Sequence, residues 1–431
     1  AVQQLPAELP DATRGVIVEL FNSTLQPVLD FIRKKCTQAI KTVDIQLVTS
    51  VSYIFKTLFS EKNGIQFSAS EAELRTLAEK IFFFAAVWGM GASIDFEHWE
   101  PFDDFIRRTF DEKGINVRIP PSGLVFDFFV DTGSASFREW NEIVPAFNYD
   151  KGASYFQMVV PTIDTVRFSY IITNLIDVNK PVFITGVTGT GKTVLGQSLL
   201  KQLEPLPDEG GKGVLPVFLN FSAQTSSLVT QGSIESKLEK KRKNLLGAPA
   251  GRKVIIFVDD VNMPMVEEYG AQPPVELLRQ FLDFTGFYDR DKLFWKDIEN
   301  TLMFACAAPP EGGRNEVTPR FVRHFNVLSV PPASGQVMTR IFSSILGGFT
   351  QAYKFDDSIK DMVPGLVSAT IEVFTRISAE LLPTPARFHY TFNLRDISKV
   401  FQGMLMITKK RCSSPETMMK LWVHEAQRVF Y

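Results

Sequence analysis

The segment Gly186–Thr193 has the residue types and the spacing of a phosphate-binding loop. Its sequence, G-V-T-G-T-G-K-T, fits the pattern G-x-x-x-x-G-K-[ST]. Glycines at these positions let backbone N–H groups approach phosphate oxygens without a Cβ atom in the way. We expect Lys192 to reach the β- and γ-phosphates and the Thr193 hydroxyl to ligate Mg²⁺. The alternative is a glycine-rich turn that carries a solvated lysine.

The elements on either side of this loop favour phosphate binding. Pro181–Thr185 is short, apolar and β-rich, which is typical of a buried parallel strand. Val194–Leu200 has the pattern of a helix. A loop between them presents the free N–H groups and the positive dipole end of that helix to a triphosphate. The residues predicted to contact the nucleotide are Gly186, Val187, Thr188, Gly189, Thr190, Gly191, Lys192, Thr193 and Val194.

A second motif ends another apolar strand. In Val254–Asp260, an apolar run ends in two adjacent aspartates, as in the metal-binding strand (Walker B) of P-loop enzymes. We expect Asp259 to hold Mg²⁺ beside Thr193. Asp260 occupies the position from which a carboxylate can polarise the attacking water. The alternative is an ordinary strand that ends in a polar turn.

The composition favours an intracellular protein of two or three domains. A chain of 431 residues, 45% of them hydrophobic, can fill that many cores. Its formal net charge of −2 argues against a nucleic-acid partner, and we interpret the basic run Lys237–Lys243 as a solvated helical face. Because the cysteines and histidines are scattered, we predict neither a disulfide framework nor a zinc site. They are Cys36, Cys306, Cys412, His98, His324, His389 and His424.

No membrane partner is expected either. The longest apolar run, Ile81–Ala92, is shorter than the roughly 20 residues that a membrane helix needs, so we predict a buried core helix. No signal peptide or basic leader is recognised at the start. The first residue is not Met, and a helical pattern still continues at Tyr431. We therefore expect a piece of a longer polypeptide.

Changes in hydrophobic pattern divide the chain into four segments. Residues 1–110 are helical, 111–155 are β-rich, 156–330 alternate strands and helices around the two nucleotide motifs, and 331–431 are helical again. We therefore predict an α/β fold. Its P-loop core would contain a parallel sheet flanked by helices, with small helical (lid) subdomains before and after the core.

Within the β-rich segment, Gly123–Val130 and Glu142–Val144 have strand composition. Between them, the sequence D-T-G-S-A of Asp131–Ala135 resembles the active-site segment of pepsin-like proteases. Such an active site needs two aspartates that share a proton. The chain has no second D-T-G, so only a symmetric dimer could supply one. We therefore interpret this segment as a hairpin turn.

Taken together, six segments resemble the dynein heavy chain family, and their sequences look closer to axonemal than to cytoplasmic members. The resemblance covers essentially the whole chain and points to the third AAA+ module of the motor ring. Residues 1–110 resemble the small helical subdomain of the second module. The resemblance implies a module that binds ATP or ADP with Mg²⁺ and adjusts the motor cycle, while the main hydrolysis resides in the first module. The six segments are Val160–Arg167, Gly186–Thr193, Phe257–Pro264, Tyr269–Pro274, Thr318–Asn326 and Phe392–Val400.

The resemblance also implies roles for residues outside the two motifs. Arg395 fits the sensor-two arginine of the lid, which touches the module's own γ-phosphate. Arg323 fits the arginine finger, with Arg320 as the alternative, and would serve the nucleotide of the preceding module. The residues that fit a loop beside the adenine ring are Val160, Pro161 and Thr162.

Two departures from the family pattern bear on hydrolysis. AAA+ proteins usually carry Glu at the position of Asp260, and the shorter side chain withdraws the base by about 1.5 Å. A misplacement of about 1 Å can cost on the order of a hundredfold in rate. The sensor-one position, often Asn, aligns with Ala308, which cannot orient a water. We therefore predict tight nucleotide binding with slow turnover.

Other functions stay open at this stage. One is a competent ATPase, with Asp260 as base and a water or a neighbouring side chain in place of sensor one. Another is a spacer that holds ADP permanently. The resemblance implies neighbouring AAA+ modules of the same heavy chain as partners. Microtubules and the intermediate and light chains would be bound by other parts of the complex. It also implies a cytoskeletal location in the axoneme of a cilium or flagellum.

Overall fold

The computed structural model describes residues 9–115, 117–387 and 390–431, so His389 lies outside the described residues. The chain divides into two units, which are described separately below. The first unit comprises the described residues through Glu142, Arg167–Val187 and Lys192–Pro331. The second unit comprises Ile143–Val166, Thr188–Gly191 and Pro332–Tyr431.

Four helices begin the first unit. A Ser70–Glu73 capping box starts the third of them: the amide of Glu73 donates to the Ser70 hydroxyl, and the amide of Ser70 donates to the Glu73 carboxylate. Its second half, from Ile81 onward, is buried, so the predicted core helix is confirmed. None of the described helices is long and apolar enough to cross a membrane. The helices are α1 (Asp11–Lys35), α2 (Asp44–Leu58), α3 (Glu71–Gly89) and α4 (Trp99–Glu112).

A short antiparallel hairpin follows, formed by β1 (Phe128–Asp131) and β2 (Ser136–Glu139). The Asp131 carboxylate accepts hydrogen bonds from the Gly133 amide and the Ser134 hydroxyl, so the D-T-G sequence is a hairpin turn, as predicted.

Of two strand predictions in this region, the first is right only for its last three residues and the second is wrong. The strand expected from Gly123 begins only at Phe128, after a 3-10 turn, and the strand expected at Glu142 is part of the 3-10 helix Trp140–Ile143. The reason is Trp140, which is fully buried and whose indole N–H donates to the carbonyl of Phe126. Burying this side chain turns the backbone away from the sheet.

The remainder of the first unit alternates strands and helices. Its strands are β3 (Val182–Thr185), β4 (Val214–Asn220), β5 (Glu239–Arg242), β6 (Leu245–Gly247), β7 (Lys253–Asp259), β8 (Gly286–Tyr288), β9 (Trp295–Glu299), β10 (Thr301–Ala307) and β11 (Asn326–Ser329). Its helices are α5 (Ile163–Asp177, which starts in the second unit), α6 (Lys192–Leu203), α7 (Ser227–Glu235), α8 (Pro273–Phe284) and α9 (Pro319–Val322).

Five of these strands form a parallel sheet in the order β11-β3-β10-β7-β4. The carboxyl ends of parallel strands meet at one edge, where α/β folds bind ligands. The ends of β3, β7 and β10 therefore bring the phosphate-binding loop, Asp259 and Ala308 to the same edge. Helix α6 lies close to this sheet, because a Cβ atom at Gly196 would collide with the Phe257 ring. The predicted α/β fold, a parallel sheet flanked by helices with helical parts before and after it, is confirmed.

A second sheet has the order β5-β6-β9-β8. The basic run Lys237–Lys243 contributes β5 to it, so the helix expected there is wrong. Strand β5 is exposed along its length and pairs antiparallel with β6. Because the run offers no apolar stripe for a helix to bury, backbone pairing with β6 decides its conformation.

The second unit is mainly helical. Phe342 and Phe401 stack with their ring centroids 4.5 Å apart, and the indole of Trp422 donates to the Thr370 hydroxyl over 2.8 Å. The boundaries proposed near residues 110, 155 and 330 stay predictions. The helices are α10 (Gly335–Ala352), α11 (Asp357–Lys360), α12 (Val363–Glu380), α13 (Leu394–Met404) and α14 (Pro415–Phe430).

Candidate functional site

The phosphate-binding loop has a backbone that requires glycine. Gly186, Gly189 and Gly191 have φ angles of 147°, 87° and 84°, values that L side chains rarely adopt. At Gly189 the space is restricted as well, because a Cβ atom there would lie 2.7 Å from Cβ of Asn393. Gly189 and Asn393 both belong to the second unit. Glycine is therefore needed at the tip of the loop both for conformation and for clearance.

Lys192, at the first turn of α6, is held by the loop backbone. Its ammonium donates to the carbonyls of Gly186 over 2.7 Å and Val187 over 2.9 Å. The residue is 7% exposed, and burial lowers the pKa of the ammonium. The carboxylates of Asp259 and Asp260 oppose that shift. A lysine fixed in this way is a buried cation whose position is set before any anion arrives.

Thr193 and Asp259 are joined directly. The Thr193 hydroxyl donates to Oδ2 of Asp259 over 2.6 Å. The other carboxylate oxygen, Oδ1, accepts from the Asp260 amide over 3.0 Å and from the Cys306 thiol over 2.7 Å. Burial raises the pKa of the Cys306 thiol well above its ordinary value, so the thiol keeps the proton that it donates. A hydroxyl beside a carboxylate is the kind of oxygen donor set that Mg²⁺ prefers.

Asp260 has an unusual backbone, with φ of 50°. Its side chain is 45% exposed, and its Oδ1 lies 3.9 Å from Nε of Arg314. Arg314 lies in the loop after β10, and no motif in the sequence indicated it. The two glycines before it, Gly312 and Gly313, indicate a loop, but they do not predict the position of the Arg314 guanidinium.

Ala308, at the carboxyl end of β10, is buried and apolar. The side-chain amide of Asn262 donates to its carbonyl over 2.9 Å, and Asn262 itself is fully buried. Sequence analysis assigned no role to Asn262. The hydrogen bond fixes the start of the loop that carries Arg314, while the Ala308 side chain offers no polar group.

Arg323 lies away from these residues. It precedes β11 and is therefore at the amino edge of the sheet, opposite to the edge that carries Asp259. Its guanidinium donates to Asp283 over 2.9 Å, and His324 Nε2 lies 3.1 Å from the same oxygen. Arg320, the alternative, is exposed on α9. The structure does not bring either arginine into this chain's own phosphate site.

The remaining predicted residues belong to the second unit. Thr162 immediately precedes α5, and its amide donates to the Thr165 hydroxyl over 2.8 Å while its own hydroxyl accepts from the Thr165 amide. Val160 and Thr162 are buried, and Pro161 lies between them. Arg395 is exposed in the first turn of α13, two residues after the cap Asn393.

Comparison with known families covers most of the chain. Residues 147–333 match a model described as the P-loop containing dynein motor region. Residues 17–142 match the dynein heavy chain AAA lid domain, and residues 366–431 match an AAA+ lid domain.

Individual relatives are similar over nearly the whole chain. Dynein axonemal heavy chain 6 of Homo sapiens is 43% identical over 424 residues, which is 98% of this chain. Dynein axonemal heavy chain 12 of Rattus norvegicus is 37% identical over 97% of the chain, and dynein axonemal heavy chain 1 of Homo sapiens is 38% identical over 95%. The chain spans only 10%, 14% and 10% of the lengths of these relatives. On these matches, the chain belongs to the dynein heavy chain family, and its AAA+ motor and lid sequence is similar to that of axonemal members.

Proposed function

We propose that this chain is a regulatory nucleotide-binding module of a dynein motor ring, corresponding to the third AAA+ module together with the end of the second. Family membership implies binding of ATP or ADP and neighbouring modules in a ring. The proposal goes further: the module binds nucleotide tightly, hydrolyses ATP slowly and gates the motor cycle. The observation that carries it is the Thr193–Asp259 contact beside a complete phosphate-binding loop.

The residues present fit a magnesium nucleotide. Thr193 and Asp259 would hold Mg²⁺, which would neutralise charge on the terminal phosphates. Lys192 would bind the same phosphates as a fixed cation. The loop residues Gly186–Val194 would supply backbone donors, and Val160, Pro161 and Thr162, the first and last of them buried, would lie beside the adenine ring.

Two features support slow hydrolysis. Asp260 is one carbon shorter than the usual Glu, and its carboxylate lies within ion-pair distance of Arg314. Ala308 presents no polar atom from its side chain where related modules often carry Asn. The positions that bind nucleotide are thus intact, while two positions that would activate and orient a water are weakened.

Three arginine roles are part of the proposal. Arg395 would touch this module's own γ-phosphate from the lid, and Arg323, or alternatively Arg320, would act on the nucleotide of the preceding module. The position of Arg323 at the opposite edge of the sheet from Asp259 supports an action outside this chain's own site. We further propose an axonemal location, from the names of the relatives. Microtubules and the intermediate and light chains would be bound elsewhere in the complex.

The binding part is tested with Lys192→Ala in the 431-residue chain. We expect it to lose most of its affinity for Mg·ATP and Mg·ADP in a fluorescent-nucleotide titration. Lys201→Ala, on the exposed end of the same helix, is the matched control and should bind as the unaltered chain does. Unchanged affinity in Lys192→Ala would refute the nucleotide site.

The regulatory part is tested by single-turnover hydrolysis. If the short base limits the rate, Asp260→Glu should accelerate turnover, by up to on the order of a hundredfold, whereas Asp260→Asn should change little. A strong fall in Asp260→Asn, with no gain in Asp260→Glu, would instead favour a competent ATPase with Asp260 as its base. Labelled ATP that exchanges rapidly with the bound nucleotide would exclude a permanent ADP spacer.

A further inference from the structure

Arg314 is a cation at the nucleotide site for which sequence motifs give no role. Its side chain is 22% exposed, and its Nε lies 3.9 Å from a carboxylate oxygen of Asp260. That Nε atom is buried and donates no hydrogen bond within the part of the chain that the structure describes. A buried guanidinium N–H without an acceptor is costly, so the geometry suits an oxygen-rich ligand.

The loop that carries Arg314 is anchored on both sides. The amide of Asn315 donates to the Asn262 carbonyl over 3.1 Å, and its side-chain amide donates to the Pro264 carbonyl over 2.9 Å. Asn262 in turn holds the carbonyl of Ala308. These bonds fix the loop against the segment that follows Asp260. The backbone that carries Arg314 is therefore held in place before a ligand binds.

The charges around Arg314 are those expected at the terminal phosphate of a nucleotide. Asp260 is at the position of the catalytic base, and Arg314 is close enough to Lys192 for their like charges to repel each other. Two cations that repel each other across one site are both stabilised when a polyanion binds between them. A guanidinium also presents a planar fork of donors that matches phosphate oxygens.

We propose that Arg314 binds the γ-phosphate and thereby sets the preference of this module for ATP over ADP, supplying in cis the polar contact that Ala308 cannot make. This inference rests on the proposed nucleotide site. The contact exists only with a triphosphate, because ADP has no phosphate beside Asp260. Arg314 is thus a specificity-determining residue for the state of the bound nucleotide.

The test measures affinities for ADP and for a non-hydrolysable ATP analogue in the 431-residue chain. Arg314→Met removes the charge and keeps most of the side-chain length. Because a hydrogen bond to a charged group contributes on the order of a tenfold effect, we expect the analogue to bind about tenfold more weakly. ADP affinity should change by less than about twofold. Arg314→Lys keeps the charge but lacks the planar fork of donors. Its affinity for the ATP analogue should lie between that of the unaltered chain and that of Arg314→Met. Arg242→Met, on the exposed strand β5, is the matched control and should have no effect on either.

Two results would overturn the inference. Either Arg314→Met leaves the affinities for both nucleotides unchanged, or it lowers both affinities by the same factor. If Arg314→Met fails to fold, judged by its thermal unfolding, Arg314→Lys alone decides between these results. Lys192→Ala is measured in parallel. If Lys192→Ala binds both nucleotides normally, the nucleotide site itself fails. If Lys192→Ala loses both while Arg314→Met and Arg314→Lys keep the ratio of the two affinities, only the role of Arg314 fails.

Discussion

The side-chain amide of Gln46, on helix α2, donates a hydrogen bond of 2.9 Å to the backbone carbonyl of Val322, 276 residues along the chain. It donates a second bond, of 2.7 Å, to the carbonyl of Phe325. Gln46 is 3% exposed. One buried amide therefore binds the backbone at both ends of the segment 322–325, which contains Arg323. It links this segment to helix α2, within the lid sequence at the start of the chain.

Gln46→Leu keeps the size of the side chain but removes both donors. The carbonyl of Phe325 loses this donor, while the carbonyl of Val322 keeps the Phe325 amide as a donor. A buried polar group that is left without a partner costs about 1–3 kcal/mol. We expect a clear fall in the thermal midpoint of the first unit. Gln26→Leu, at an exposed position of α1, is the control and should shift the midpoint little. Equal shifts in the two variants would show that the Gln46 amide does not hold this segment.

Thr193→Ala is expected to separate metal binding from phosphate binding. The variant loses the hydroxyl that donates to Asp259, while the loop and Lys192 stay in place. Its affinity for ATP in the presence of Mg²⁺ should fall to the value measured in EDTA, and the EDTA value itself should not change. Thr193→Ser retains the hydroxyl and should bind as the unaltered chain does. The expectation fails if Thr193→Ala still binds ATP more tightly with Mg²⁺ than without it.

Gly189→Ala tests the conformation of the loop. An L residue at φ of 87° is strained by roughly 1–2 kcal/mol, and its Cβ atom would also press on Asn393. Since the loop must shift, we expect nucleotide affinity to fall by about tenfold. Gly15→Ala, in helix α1 with open space around the new methyl group, should leave affinity unchanged. A Gly189→Ala chain that binds normally would contradict the role of the glycine.

Low pH should lower the stability of the first unit, because the Asp177 carboxylate becomes protonated. Burial alone would raise the pKa of this carboxyl, but the ammonium groups of Lys212 and Lys62 hold it below its ordinary value. Lys62 lies 3.1 Å from it, and Lys212 is hydrogen-bonded to it. A depressed pKa in the folded state means that the stabilisation is present above the unfolded pKa, about 3.9, and is lost as pH falls through the folded pKa.

The measurement is the thermal midpoint of the unaltered chain minus that of Asp177→Asn, as a function of pH. This difference should be largest near pH 7 and should shrink below about pH 4. Asp208→Asn, at an exposed position, gives the baseline. A difference that does not vary with pH would mean that the two lysines do not stabilise the ionised carboxylate.

The sequence alone determined the features that lie within one contiguous segment. The strand–loop–helix around Lys192 and the apolar strand that ends at Asp259 are recognisable because their chemistry depends on local backbone geometry. The parallel character of β3, β7 and β10 also follows from short apolar runs alternating with helical ones. The D-T-G turn was predictable for the same reason, since the Asp131 carboxylate accepts hydrogen bonds from the nearby Gly133 amide and Ser134 hydroxyl.

Only the tertiary structure decided which distant residues meet. The order of the strands brings Cys306 to Asp259, and the packing of loops brings Arg314 to Asp260. No spacing along the chain encodes either contact. The basic run became strand β5 because β6 was available to pair with it, although a helix was expected there. Local pattern thus determined the chemistry of each motif, and long-range packing determined which further side chains complete the site.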